Sequence, residues 1–249
     1  MVKLGIIISP EGFLPFYQLQ LYKEWFMKRF ILVLLVMGLA VSLSAQQADL
    51  PEHHFATGSG SWAFVGERLF QNEVDANARL AKVNFRIPQN GPMIYEFTVR
   101  YEDSLYKTHA GFGIHIFANG VHNYASWGSG TSYLLWLNYD ENPIPGMGIP
   151  AGLSAQVYRS LSNSRMELVE SIDLNHYIDY LTLENLSCAV PFRIWADGNT
   201  GEVRVYNPTD PEMRSFYYFF IGQENLPLSG EWVTLRVNGA RFSFGMGLE

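Results

Sequence analysis

From Trp62 onward the chain repeats one device, a short run of alternating apolar and polar residues closed by glycine, proline, asparagine or aspartate. Side chains two apart share a strand face, so such runs read as strands with one face on a core and one more polar. Met93 to Tyr101 is the clearest: Tyr95, Phe97, Val99 and Tyr101 share one face, and Glu96, Thr98 and Arg100 the other. Similar runs are Trp62 to Val65 and Arg68 to Gln71 around Gly66-Glu67, Leu80 to Ile87 closed by Pro88-Gln89-Asn90-Gly91-Pro92, and Gly111 to Phe117. Thr131 to Tyr139 follows the loop from Ala118 to Gly130. Leu153 to Ser160 comes after the turn-rich stretch from Asn142 to Pro150. The later runs are Arg165 to Glu170, Val190 to Asp197, Gly201 to Tyr206, Ser215 to Ile221, Trp232 to Val237 and Ala240 to Gly245.

Two details refine this pattern. In Thr131 to Tyr139 both faces are apolar, with Tyr133, Leu135 and Leu137 on one and Leu134 and Trp136 on the other. A strand covered on both sides belongs in the middle of a layered fold or beneath a ligand. The turns Asp197-Gly198-Asn199-Thr200-Gly201 and Asn238-Gly239 are strong hairpin signals, because Gly and Asn tolerate positive φ. One helix is expected, Leu174 to Leu186, where Leu174, Tyr177, Ile178 and Leu181 fall at helical spacing after Asp173 as N-cap. The expected fold class is all-β, a two-sheet antiparallel β-sandwich with one short helix, and no internal repeat divides it.

The N-terminal segment follows a different logic. Met27 to Ala45 has a basic start (Lys28, Arg29), an apolar run from Phe30 to Val41 and a small polar end, Ser42-Leu43-Ser44-Ala45. That is the layout of a secretory signal peptide. The apolar run is short for a permanent span of roughly 30 Å of hydrocarbon. Lys23-Glu24-Trp25 can be encoded by AAG-GAG-TGG, which contains a bacterial ribosome-binding sequence just before the Met27 codon. Residues 1–26 are therefore expected to be a mis-assigned N-terminal extension, 27–45 the signal peptide and 46–249 a single β-sandwich domain. Cleavage is expected after Ala45 or Ser44, and the expected location is periplasmic or secreted, without a permanent membrane anchor.

Charge narrows the partners. Residues 1–45 hold four of the 17 basic and two of the 24 acidic side chains, so the rest carries 13 against 22, a formal charge of −9. Such a surface repels phosphate backbones and anionic headgroups, which excludes nucleic acid as an expected partner. Aromatic residues make up 15% of the chain, which suits both strands and sugar-binding surfaces. Cys188 is the only cysteine, so no intrachain disulfide forms. Its apolar flanks favour burial, the alternative being an intermolecular bond.

The order of these features resembles concanavalin A-like (laminin G-type) jelly rolls. The resemblance is carried by Trp62 to Val65 with Arg68 to Gln71, by Ile94 to Arg100, by Ala110 to Ile114, by Ser132 to Leu135 and by Val190 to Tyr206. It implies two antiparallel sheets that often bind sugars. Glucanases of that superfamily carry Glu-x-Asp-x-x-Glu on one strand, the paired carboxylates of retaining hydrolysis. Here Glu73-Val74-Asp75 begins that motif, but Ala78 stands where the last carboxylate belongs, and Glu167 and Glu170 have the wrong spacing. The resemblance is therefore to a non-catalytic member.

Three constellations are candidate sites. Arg193, Trp195 and Asp197 share a strand face, suited to stacking on a sugar with flanking hydrogen bonds; the plainer reading is a half-buried Trp beside a surface ion pair. The loop from His122 to Gly130 carries Tyr124 and Trp127 among small residues, suited to closing over a ligand or to anchoring the loop on the core. Trp136 and His115 complete the candidate ligand-binding set. His115 and His122 lie in neighbouring elements but lack a carboxylate at metal spacing. No cofactor is expected. Ca²⁺ would find oxygen ligands at Asp140-Glu141-Asn142 and Asn207-Pro208-Thr209-Asp210, although such loop carboxylates are more often simply solvated. The sequence points to an exported non-catalytic module with a glycan or an envelope protein as partner and an undetermined oligomeric state. A structural cell-envelope or appendage-sheath protein is the alternative, and a glycoside hydrolase without a recognisable motif the third reading.

Overall fold

The alternating runs become strands. The computed structural model describes residues 46–48, 57–73, 81–105, 108–175, 188–206 and 215–246, and the N-terminal calls for 1–26 and 27–45 lie outside them. The early strands are β1 (Gln46–Ala48), β2 (Thr57–Ser59), β3 (Trp62–Val65), β4 (Arg68–Gln71), β5 (Ala81–Asn90) and β6 (Pro92–Asp103). The middle ones are β7 (His109–Ala118), β8 (Ser132–Asp140), β9 (Gly152–Ser160) and β10 (Met166–Asp173). The last are β11 (Val190–Asp197), β12 (Glu202–Tyr206), β13 (Ser215–Phe220), β14 (Ser229–Asn238) and β15 (Arg241–Met246). β1 and β2, Gln-Gln-Ala and Thr-Gly-Ser, carry no alternation that a sequence reading could catch.

Two sheets result. One has the antiparallel order β13-β12-β11-β6-β15-β4-β3, and the other β10-β9-β8-β7-β14-β5-β2. Short β1 runs parallel to β6 at Met93 to Tyr95, a stretch that β15 does not reach because it pairs with β6 from Phe97 onward. Sequence neighbours β5 and β6 lie in different sheets, as do β14 and β15. The tight turns Asn90-Gly91 and Asn238-Gly239 therefore carry the chain from layer to layer, with Gly91 and Gly239 at φ 66° and 71°. Asn238-Gly239 does not close the hairpin its sequence suggests, because β14 and β15 pair with strands of different sheets.

One apolar core fills the space between the sheets. Phe97, Val99, Phe192, Ile194, Phe242 and Phe244 face it from the first sheet; Val83, Phe85, Phe112, Ile114, Leu135 and Leu235 face it from the second. Phe112 sits at the centre, its ring 5.4 Å from those of both Phe192 and Phe242. Gln89 is the polar link across the layers. It accepts the Tyr95 hydroxyl and the Phe117 N–H through Oε1 and donates to the Trp232 carbonyl, each at 2.7 Å.

Two further expectations change, and a third lies mostly outside the described residues. β5 continues through Pro88 to Asn90 instead of closing at Ile87, because its pairing with β14 slips between Gly230 and Trp232 and asks no N–H of Pro88. The expected helix from Leu174 to Leu186 falls, after Leu174 and Asn175, outside the described residues, and no helix occurs among those described. At its start Asp173 accepts the Asn175 N–H at 2.9 Å, while the Leu174 N–H goes to the Leu153 carbonyl. Cys188 is exposed, not buried: it precedes β11, whose pairing into the sheet begins at Val190, so no layer covers it.

Phe112→Ala removes the ring on which both layers converge. Urea denaturation should report a loss of about 3–5 kcal/mol; a loss below about 1 kcal/mol would mean that the layers meet elsewhere.

Candidate functional site

The outer face of the seven-stranded sheet is polar in sequence yet buried in the structure. Registers align its side chains in rows. Lys82 lies opposite Arg236, Arg236 opposite Gly113, Gly113 opposite Trp136 and Trp136 opposite Gln156. The next row runs Asn84, Thr234, His115, Leu134, Tyr158, and on the other side lie Asn238, Gly111, Asn138 and Ser154. Lys82, Asn84, His115, Thr234, Ser154 and Gln156 are all buried, and Arg236 is only 3% exposed. Polar groups survive such burial when they satisfy one another. The Tyr158 hydroxyl donates to Gln156 Oε1 (2.6 Å), Gln156 Nε2 to Ser154 Oγ (3.0 Å), and Thr234 Oγ1 to Asn84 Oδ1 (2.8 Å).

Trp136 lies flat on β7 because β7 offers it no side chains there. A Cβ on Gly111 would stand 2.3 Å from Trp136 Cζ2, and one on Gly113 2.8 Å from Cε3. The indole N–H is held by Asn138 Oδ1 at 3.0 Å. Above this ring sits the Arg236 guanidinium, with Cζ 5.6 Å from the Trp136 centroid and equally 5.6 Å from that of Trp127. A weakly hydrated, planar cation is the charge best suited to a place beside aromatic faces.

Trp127 reaches this position because the connection between β7 and β8 folds back over the sheet. Arg236 Nη1 donates to the Trp127 carbonyl. Lys82 Nζ donates to Ser126 Oγ and the Gly128 carbonyl, both at 2.7 Å, and Asn84 Nδ2 to the His122 carbonyl at 3.2 Å. The far side is tied to the β9–β10 turn, where Gly128 N–H meets the Asn163 carbonyl at 2.9 Å. Burial, then the neighbouring Arg236 charge, pull the Lys82 ammonium down to about 7. Burial likewise lowers Arg236 to about 10. His115 is held well below its ordinary value by burial and by both cations, so it is neutral, and its Nδ1 meets Ser132 Oγ at 2.9 Å.

Between this strap, the 141–151 connection and the β9–β10 turn lies an open cleft of about 430 Å³. Trp136, Arg236, Gln156 and Tyr158 belong to its sheet-side lining, Asn138, Asp140 and Asn238 add polar groups, and Trp127, Met147 and Ile149 come from the connections. Its size falls within the range of about 300–1,000 Å³ usual for small-molecule sites. Trp127 is 56% exposed, an indole face presented to solvent at the edge of a polar-floored cleft. A second cavity of about 360 Å³ near Phe117, Tyr133 and Arg159 has no tryptophan in its lining.

The candidates read from sequence divide between the faces. Trp127 and Trp136 come together in the cleft. His115 shares the face but is buried one row away, and Tyr124 is exposed on the strap against the His122 ring at 4.9 Å. Arg193, Trp195 and Asp197 lie on β11 in the other sheet. Arg193 does not pair with Asp197: it binds Glu96 on β6, while Asp197 accepts the Asn199 N–H and the Thr200 hydroxyl, and the Arg204 guanidinium covers Trp195 at 5.6 Å. Asp140 accepts the Asn142 N–H, Glu141 accepts the Tyr139 hydroxyl, and among the described residues no three His, Cys, Asp or Glu side chains cluster as metal ligands. Residues 207–210 lie outside the described set. The cleft-lining side chains not anticipated include Arg236, Gln156, Tyr158, Asn138 and Asn238. Their signal was period-two polarity in central strands, as in Thr234-Leu235-Arg236-Val237-Asn238.

No protein-family model matches the sequence, and no curated protein does so. Solved structures with a similar arrangement include a carbohydrate-binding module, CBM66, from Bacillus subtilis, with 12% identity, TM-score 0.49, and 81% of this chain and 96% of that one covered. A legume lectin-like domain from Entamoeba histolytica gives 7% identity and TM-score 0.44 over 76% and 85% of the two chains. A TRIM65 PSpry domain gives 10% identity and TM-score 0.43 over 82% and 92%. Identity at this level leaves the ligand to be argued from the side chains.

Two measurements check the site's construction. Gly111→Ala should tilt the Trp136 indole off β7 and destabilise the fold by about 1–3 kcal/mol; unchanged tryptophan fluorescence and stability would refute the close approach. The second concerns Lys82. The unfolded chain keeps this proton to about pH 10.5 and the folded chain only to about 7. The unfolded state therefore binds more protons in between, and stability rises with pH across that window. The melting temperature of the wild type should climb relative to Lys82→Met from pH 7 to 9. A flat difference would show an ordinary ammonium held by its oxygen partners.

Proposed function

We propose that this protein is an exported, non-catalytic carbohydrate-binding module and that the cleft beneath Trp127 is its binding site. The observation that carries the reading is the pairing of an exposed indole with a floor of fixed hydrogen-bonding groups. Sugars offer flat C–H faces that lie on aromatic rings and hydroxyls that need donors and acceptors at set directions. Trp127 supplies the ring at the edge; Asn138, Gln156, Tyr158 and Asn238 supply the polar groups. The side chains of Gln156, Tyr158 and Ser154 are already bonded to one another, so little ordering is left to cost affinity on binding. Among the described residues Asp140 is the single carboxylate in the lining, whereas glycoside hydrolysis ordinarily needs two. The leader read at Met27 to Ala45 supports a periplasmic or secreted location.

A second reading, a structural envelope or appendage-sheath protein, is favoured by a separate observation. On β13, at the end of its sheet, Tyr218 and Phe220 are 63% and 52% exposed. Such apolar side chains on a terminal strand suit contacts between subunits.

Glycan-array screening followed by calorimetric titration separates the two. Trp127→Ala leaves the carbonyl that Arg236 uses in place, so it should fold normally and weaken the captured glycan by about tenfold, or 1.4 kcal/mol. Absence of any glycan ligand, together with assembly that Tyr218→Ser and Phe220→Ser abolish, would support the structural reading instead.

A further inference from the structure

We infer that the sugar taken by this cleft carries a carboxylate, received by the Arg236 guanidinium; the inference rests on the glycan-binding reading and names the class of sugar within it. The strands that form the sheet face put cations side by side. Arg236 and Lys82 are register partners on β14 and β5, both are buried, and the neutral His115 lies in the next row. No ion pair joins Arg236 to a carboxylate among the described residues. Its partners are the Trp127 carbonyl, the two indoles and Met166 Sδ at 3.9 Å, and its buried Nε has no hydrogen-bond partner. Buried charge is ordinarily compensated, because leaving one unpaired in a water-poor site is costly. Here the described residues supply dipoles and rings but no counter-charge.

The shape of the site indicates where the missing charge comes from. Arg236 forms part of the cleft's own wall, beside Gln156 and Tyr158, and is not sealed behind it. A guanidinium presents a planar fork of donors that matches the two oxygens of a carboxylate. The acidic groups nearby do not fill that place. Asp140 has an oxygen engaged by the Asn142 N–H, and Glu167 is held by Arg165 at 2.6 Å. Arg165, also in the lining, is paired with Glu167, so among the described residues Arg236 is the lining cation without a carboxylate partner. A buried guanidinium without a carboxylate partner, lining a cleft of a chain whose formal charge is −7, marks a place built for an anion. A uronic acid fits both halves of the site: a pyranose ring for Trp127 and a carboxylate for Arg236. Burial lowers Arg236 to about 10, and burial together with the Arg236 charge lowers Lys82 to about 7; the negative charge of a ligand carboxylate beside Arg236 would raise both.

The test compares each acid with its neutral twin. Wild-type protein is titrated calorimetrically with tetragalacturonate and with alginate tetrasaccharides, each beside its carboxyl-reduced form, in which CH₂OH replaces the carboxylate on the same ring and linkage. A panel of neutral oligosaccharides is run in parallel. The expected result is at least one uronate bound about tenfold or more tighter than its reduced twin, a preference that shrinks as salt is raised. In Arg236→Gln, which also loosens the strap over the cleft, both forms should bind more weakly and the ratio of their affinities should fall to about one. Should that variant fail to fold, the wild-type acid-to-neutral ratio and its salt dependence decide the matter alone. Equal or tighter binding of the reduced forms, or binding confined to the neutral panel, overturns the inference and leaves the glycan reading standing. No binding to any acid, reduced form or neutral sugar overturns both.

Discussion

A guanidinium held between two indoles and almost wholly buried sets the terms for everything on one side of this molecule. Arg236 can stand where it does because Trp136 lies flat, and Trp136 lies flat because Gly111 and Gly113 leave its place empty. The same cation draws the Trp127 carbonyl down, and with Lys82 and Asn84 it holds the strap from His122 to Gly128 across the sheet. Remove the charge and the strap loses its central anchor. Remove either glycine and the ring that carries the charge has nowhere to lie. Each contact depends on the next, and the cleft is what they leave open between them.

The two sheets thus have opposite outer faces. On the seven-stranded sheet, polar side chains are buried and bonded to one another beneath loops. On the other, charges meet in exposed or half-exposed pairs such as Arg193 with Glu96 and Arg204 with Glu202, whose worth in water is small. Arg204 covers the ring of Trp195, so that indole is already engaged by its own sheet. An aromatic residue at a strand's polar position is therefore not enough to mark a site. What distinguishes Trp127 and Trp136 is a cavity beside them.

Much of the fold was legible because period-two alternation is a local signal. Met93 to Tyr101 and Val190 to Asp197 read as strands from their own residues, and the doubly apolar Thr131 to Tyr139 already implied cover on both faces. What could not be read is whatever depends on partners distant in the chain. Pro88 looked like a stop because the slip at Gly230 to Trp232 that tolerates it lies more than a hundred residues away. Cys188 looked buried because its neighbours are apolar, yet no layer reaches it. The cleft itself is assembled from β8, β9, β10, β14 and three connections, so the sequence could offer Trp127 and Trp136 singly but not Arg236 between them. Polar residues alternating into a buried face, as at Thr234, Arg236 and Asn238, were the available hint, and they read equally well as a solvated surface.

The account stands on the cleft, and the indole N–H signals of the six tryptophans report on it directly. In a two-dimensional NMR titration with a bound oligosaccharide, the signals of Trp127 and Trp136 should move together while that of Trp195, on the other sheet, stays in place. Movement of Trp195 with Trp127 and Trp136 unchanged would put the ligand on the opposite face and contradict the account.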